Sequence, residues 1–211
     1  MARARVRLIR LAVGLLGAVP GLVLAWRAWQ GDLGPDPLGE LMRVAGRWAL
    51  AFLILSLAPT PLRTLFGVRY ATAARRPLGL YGFKYAAAHF LIYAGLGCGF
   101  RWGPLLETVR RSPFILWGLA ALAMMLPLAL TSSDGWVRRL GRRWRWLHRL
   151  AYLAALLAAW HYASAFKELR TVPVLVGLLI LALLALRIPA LAASLRRASP
   201  AAREAASGSP K

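Results

Sequence analysis

Cysteine and acidic residues are nearly absent from this chain. Cys98 is the single cysteine among 211 residues. That excludes an intramolecular disulfide, a CxxC redox pair, a cysteine-ligated iron–sulfur cluster and a covalent CxxCH attachment site. Its ordinary place is that of a small residue buried on an apolar helix. Seven Asp and Glu stand against 28 Lys and Arg, for a net charge of +21. None of the seven falls inside a long apolar run, whereas a proton-coupled transporter ordinarily carries an intramembrane carboxylate. Histidine is scarcer still: His89, His148 and His161. No GxGxxG turn, P-loop or internal repeat is evident. Only about twenty residues follow the last apolar run, too few for a soluble domain.

What the chain has in quantity is apolar side chain: 59% of residues are hydrophobic, and nine are tryptophan. A soluble domain this apolar would expose large sticky patches, and nucleic-acid binders of similar charge are polar throughout. Apolar runs near the length of a bilayer span, separated by arginine clusters, predict a polytopic membrane protein. The basic charge then faces anionic lipid and no nucleic-acid partner is expected.

Six segments fit, at Leu8–Trp26, Val44–Leu62, Leu78–Phe100, Phe114–Leu130, Leu147–Phe166 and Val172–Leu186. The expected fold is therefore all-α, a polytopic membrane helical bundle with six transmembrane helices. The first segment resembles a signal peptide, but no small-x-small cleavage site follows it, so it reads as a retained anchor. With the N-terminus cytoplasmic, eighteen basic residues fall on the inside and eight on the outside. By the positive-inside rule both termini are then cytoplasmic. Residues 1–191 form the membrane domain in this reading. Residues 192–211, small, polar and proline-bearing, form a disordered cytoplasmic tail.

With the carboxylates outside the spans, His89, His148 and His161 carry whatever buried polar chemistry the bundle has. Neutral imidazole in a dry helical bundle is a good axial ligand for haem iron. The plainer alternative is a hydrogen bond across helices, worth about 1 kcal/mol. Three histidines on two odd-numbered helices favour the metal. On one continuous helix His148 and His161, thirteen residues apart, would be separated by about 20 Å and about 140°. They cannot clasp one iron. His89 is the one remaining partner for either.

Several stretches carry a resemblance: "TPLR" (60–63), "RRPLGLYGFKYAAAHF" (75–90), "LPLALTS" (126–132) and "LGRRWRWLHRLAYLAALLAAWHY" (140–162). In this order, from about Trp48 to Tyr162, they resemble the MsrQ (YedZ) family, haem-binding membrane subunits of a bacterial periplasmic methionine-sulfoxide reductase system. More distantly the chain is similar to the ferric-reductase-like transmembrane domain of ferric reductases and NADPH oxidases. There, two helices each carry two histidines thirteen or fourteen residues apart. The resemblance implies His89 with His161 as axial ligands of one b haem nearer the periplasm. Arg75, fourteen residues before His89, takes the place of the inner histidine. His148 is left without a histidine partner. Three roles stay open for it: ligand of a second haem, contact to a flavin or quinone, or a hydrogen bond.

Ferric reductases and NADPH oxidases continue into a flavin and nicotinamide domain, for which this chain has no room. The family resemblance implies electrons from the quinone pool or a cytoplasmic flavin reductase, and a bound FMN. Arg75, Arg76 and the cluster from Arg138 to Arg145 could hold a flavin phosphate or haem propionates. For most of that cluster, ordinary positive-inside charge is the stronger reading. Trp102, Trp136, Trp144 and Trp146 read as interfacial belt residues. The implied acceptor is MsrP, a periplasmic molybdopterin enzyme, which makes this chain an electron-transfer subunit of the bacterial inner membrane and not the catalytic one. The rival expectation is a stand-alone ferric-reductase-like electron carrier.

Overall fold

The computed structural model describes residues 2–166 and 170–188; the tail expected at 192–211 lies outside them. Among the described residues there are helices and turns and no strand. Ten α-helices follow in order: α1 Ala2–Trp29, α2 Pro37–Leu57, α3 Pro59–Phe66, α4 Arg75–Ile92, α5 Trp102–Arg111, α6 Phe114–Leu130, α7 Asp134–Leu140, α8 Arg142–Leu147, α9 Leu150–Ser164 and α10 Thr171–Ala185. A 3₁₀ turn at Arg69–Ala73 leads into α4, and a π-helical turn at Tyr93–Gly97 leaves it.

All six apolar segments fall on helices, but among the described residues only two helices meet the length of a span alone. These are Ala4–Trp29 and the continuous stretch Pro37–Phe66 through α2 and α3. α5 and α6 meet it together, bent by 117°. α2 starts seven residues before the apolar run does, because its first turns are polar and capped. The Asp36 carboxylate accepts from the Gly39 amide at 3.0 Å and pairs with Arg43 at 3.2 Å. The amide first, and Arg43 after it, hold this carboxyl below the usual carboxylate range. Pro37, at the first helical position, surrenders no hydrogen bond there.

Two antiparallel pairs make the bundle. α2 packs most extensively on α4, and α6 on α9, while α4–α6 and α2–α9 contacts join the pairs. The core runs along this junction through Leu50, Leu53, Leu57, Met125, Ala154, Ala155 and Ile180. Small residues permit the close crossings. A Cβ on Gly82 would meet the Leu53 backbone nitrogen at 3.2 Å, and Ala154 and Ala155 are completely covered. α10 closes the far side. Arg187, just past its end, donates to the Tyr152 hydroxyl at 2.9 Å and the Leu57 carbonyl at 2.6 Å.

α1 docks on α4 through tyrosines. Pro20 interrupts its hydrogen-bond ladder, and the Tyr85 hydroxyl enters the gap. It accepts from the Gly21 amide at 2.6 Å and donates to the Gly17 carbonyl at 3.0 Å. Those two groups are a helical i, i−4 pair, so one side chain bridges what the proline strains apart.

One sequence expectation fails here. His148 and His161 do not share a helix. α8 ends at Leu147, His148 and Arg149 form a turn, and α9 begins at Leu150. Amides of Arg149 and Tyr152 bond three residues back, to Trp146 and Arg149. The chain tightens and changes course without a glycine or proline to announce it.

Candidate metal centre

His89 lies near the C-terminal end of α4 and His161 near that of α9, so the two helix pairs bring their imidazoles to one end of the bundle. The ring centroids are 6.3 Å apart and the ring planes 76° from parallel. Each ring is tied to a neighbouring helix. His89 Nδ1 lies 2.9 Å from the Met42 carbonyl on α2, and His161 Nδ1 lies 2.9 Å from the Phe114 carbonyl on α6. A carbonyl can only accept, so Nδ1 carries the proton in both rings. Nε2 is then the nitrogen with a free lone pair, the tautomer a metal ligand needs.

The spacing suits one metal ion between the rings. With metal–nitrogen bonds of about 2.0 Å and roughly 1.1 Å from nitrogen to ring centre, two imidazoles on opposite sides of one ion stand about 6 Å apart. Among the described residues no three His, Cys, Asp or Glu side chains converge. A bare tetrahedral ion would lack ligands. Two imidazoles are sufficient for a metal that brings its own equatorial ligands, which is the donor set of a haem.

The site has a hidden symmetry. Adding 72 to residue numbers 42, 46 and 89 gives 114, 118 and 161. In each set a carbonyl, a glycine one turn later and a histidine 47 residues beyond the carbonyl occupy equivalent places. The correspondence runs without a gap: "GRWALA" (46–51) answers "GLAALA" (118–123), and "LGLYGFKYAAAHF" (78–90) answers "LAYLAALLAAWHY" (150–162). A duplicated histidine seat at a fixed offset therefore exists, where the sequence reading found no repeat. Its matched positions are mostly alanine, leucine and glycine, which blend into an apolar background. In this correspondence Arg76 answers to His148.

His148 is placed differently from the other two. Its Nε2 lies 3.3 Å from Thr131 Oγ1, and its ring stacks on Trp144 with centroids 3.9 Å apart. The Thr131 hydroxyl already donates to the Pro127 carbonyl at 2.6 Å, so His148 must donate through Nε2, the nitrogen kept free in His89 and His161. Trp144, expected in an interfacial belt, instead donates its indole N–H to the Thr131 carbonyl at 2.9 Å. Trp102, Trp136 and Trp146 are exposed, as belt residues are.

Beside His148 a cavity of about 240 Å³ is lined by Arg10, Thr72, Arg75, Arg76, Ser132 and Trp144, among others. Arg76 is held by Asp134, and this partner keeps the Asp134 carboxyl below its ordinary range. Arg75 lies toward Tyr152 and Arg187. Of the arginines named as candidates for a phosphate or propionate, Arg75 and Arg76 line this cavity with Arg10, whereas Arg138, Arg139, Arg142, Arg143 and Arg145 are not among its lining residues.

Residues 45–159 match the family described as the ferric reductase like transmembrane component. That defines the class: an all-helical membrane protein of the ferric-reductase-like group. Nearer relatives are curated as protein-methionine-sulfoxide reductase haem-binding subunit MsrQ. The protein from Rhodospirillum rubrum is 41% identical over 87% of this chain and 89% of its own length. That from Caulobacter vibrioides is 38% identical over 78% and 79%, and that from Ralstonia nicotianae 43% over 74% and 72%. The chain belongs to the MsrQ family.

Proposed function

We propose that this chain is a b-type haem-binding electron carrier of a methionine-sulfoxide reductase system, serving a separate reductase subunit. One observation carries the proposal: two imidazoles 6.3 Å apart, each with Nδ1 bound to a carbonyl and Nε2 left for iron. Haem bound there would supply a one-electron centre in a dry, helical surrounding. His89 and His161 would hold it through Nε2. The carbonyls of Met42 and Phe114 would fix the ring orientations and raise ligand basicity. The relatives, named as haem-binding subunits of a protein-methionine-sulfoxide reductase, support the same reading.

The finer parts of the proposal are these. Six segments span the inner membrane, the short ones completed by flanking residues or by local thinning of the bilayer, with both termini cytoplasmic. The His89–His161 centre then lies toward the periplasm, near an MsrP-type molybdopterin subunit that takes the electrons. The arginine-lined cavity beside His148 lies toward the cytoplasm. Arg75 and Arg76 suit the phosphate of an FMN there, with the quinone pool or a flavin reductase as donor. His148 serves as a wall of that cavity.

The haem test is spectroscopic. The purified protein is expected to give a low-spin b-type spectrum on reduction. If both rings kept their present orientations on binding iron through Nε2, their planes would stand 76° apart. Near-perpendicular planes leave the iron's two π-type d orbitals close in energy. Electron paramagnetic resonance of the oxidised protein is expected to show a strongly anisotropic, large-g signal. A protein that stays colourless after haem supplementation refutes the proposal, and a rhombic three-line signal refutes the ring geometry.

Topology is tested by labelling. In a Cys98→Ser background, Gly103→Cys on α5 is expected to react with a membrane-impermeant maleimide from the periplasmic side. Gly135→Cys on α7 is expected to react only after the membrane is opened. Both sites have open surroundings for a side chain or nothing nearer than 3.7 Å. Labelling with the sides exchanged overturns the orientation.

A further inference from the structure

We infer that Gly46 and Gly118 are positioning residues for the two imidazoles, a role that rests on the haem reading above. Each sits one helical turn after the carbonyl that accepts from the histidine, on the helix face against which the ring lies. A Cβ built on Gly118 would stand 2.9 Å from both Cε1 and Nδ1 of His161 and 3.1 Å from Cγ. One on Gly46 would stand 3.1 Å from Nδ1 and 3.3 Å from Cε1 of His89. Backbone freedom is not the reason for glycine here, since neither has a positive φ. The reason is ring clearance.

The hydrogen bond and the clearance act together. Each carbonyl holds Nδ1 2.9 Å away, with the ring lying against the next turn of the same helix. A side chain at the glycine position would occupy the ring's place. Moving the ring away lengthens the Nδ1 bond or rotates the plane, and both change how Nε2 is presented. The device occurs twice, 72 residues apart, with the same carbonyl-to-glycine spacing. Gly14 on α1 and Gly177 on α10 serve as controls, with nothing within 4 Å of a built Cβ.

The two seats differ in tightness, and that orders the test. Gly118→Ala forces a contact that side-chain carbons essentially never make, whereas at Gly46 the ring needs to give by a few tenths of an ångström. Haem affinity is expected to fall about 10- to 100-fold in Gly118→Ala, as for loss of an orienting group around a metal ligand. A smaller fall is expected in Gly46→Ala. In both, the position of the large-g signal should shift, because the ring planes turn. Gly14→Ala and Gly177→Ala should match the wild type in signal and haem content.

Haem titration and low-temperature resonance spectra of the four variants, purified as the full chain, decide the matter. A wild-type signal and wild-type affinity in Gly118→Ala overturn the inference while leaving the haem proposal standing. A wild type that binds no haem refutes that proposal instead. If Gly118→Ala does not fold, Gly46→Ala carries the test by the same two readings, and an unchanged signal there overturns the inference.

Discussion

Purified His89→Ala and His161→Ala are each expected to lose most of their haem, with the remainder high-spin. Each loss leaves iron with one protein ligand in a site built for two. The two variants should behave alike, because the residues share the features that matter for ligation: Nδ1 on a carbonyl at 2.9 Å, on the last turns of α4 and α9. His148→Ala should keep the low-spin signal. His148 lies in the turn between α8 and α9, its Nε2 committed to Thr131 and its face to Trp144. It does not have the place to replace His161. What His148→Ala should change is the cavity that it lines with Arg75 and Arg76, and so the rate of reduction by a donor bound there. Haem quantitation and spectra of the three variants provide the check. Bleaching by His148→Ala with His161→Ala unaffected would move the centre to the other end of the bundle.

The helices were legible because hydropathy is a long-range signal that single residues do not erase. Phe114–Leu130 is an apolar run and, to the residue, a helix. The start of α2 was not legible by that route, since Glu40, Arg43 and Arg47 are charged and the capping signal of Asp36 and Pro37 precedes them. The break at His148 left no trace either: the turn is made by backbone bonds to Trp146 and Arg149, in a stretch of good helix formers. For the site, three histidines among so much leucine drew attention to themselves. What their rings lean on did not. Gly46 and Gly118 matter for a missing side chain at one crossing, and the carbonyls of Met42 and Phe114 are backbone atoms that no residue type reports. The 72-residue correspondence was the available clue, and only contacts in three dimensions gave its alanines and glycines meaning.

The close approach of α2 and α4 predicts the other large effect, at Gly82. A Cβ there would lie 3.2 Å from the Leu53 nitrogen and 3.5 Å from the Ala49 carbonyl oxygen, both backbone atoms of α2. Backbone cannot rotate aside as a side chain can, so added volume must push the helices apart. Gly82→Ala asks for a few tenths of an ångström and is expected to cost about 1 kcal/mol, at the mild end of overpacking. Gly82→Leu is expected to cost on the order of 3 kcal/mol. It should also weaken haem binding, because α2 carries the Met42 carbonyl and α4 the histidine that uses it, and their separation sets that bond. The repeat supplies a second site for the same experiment. Ala154 on α9, the counterpart of Gly82, is fully covered, and Ala154→Leu should act on the α6–α9 pair and His161 in the same way. Gly79→Ala, one turn earlier on α4 and 3.9 Å from the nearest atom, should leave stability and haem content unchanged. Denaturation midpoints of the detergent-solubilised proteins, read beside haem content, measure these differences. Wild-type values for both leucine variants would mean that the paired helices do not touch backbone to side chain at these crossings.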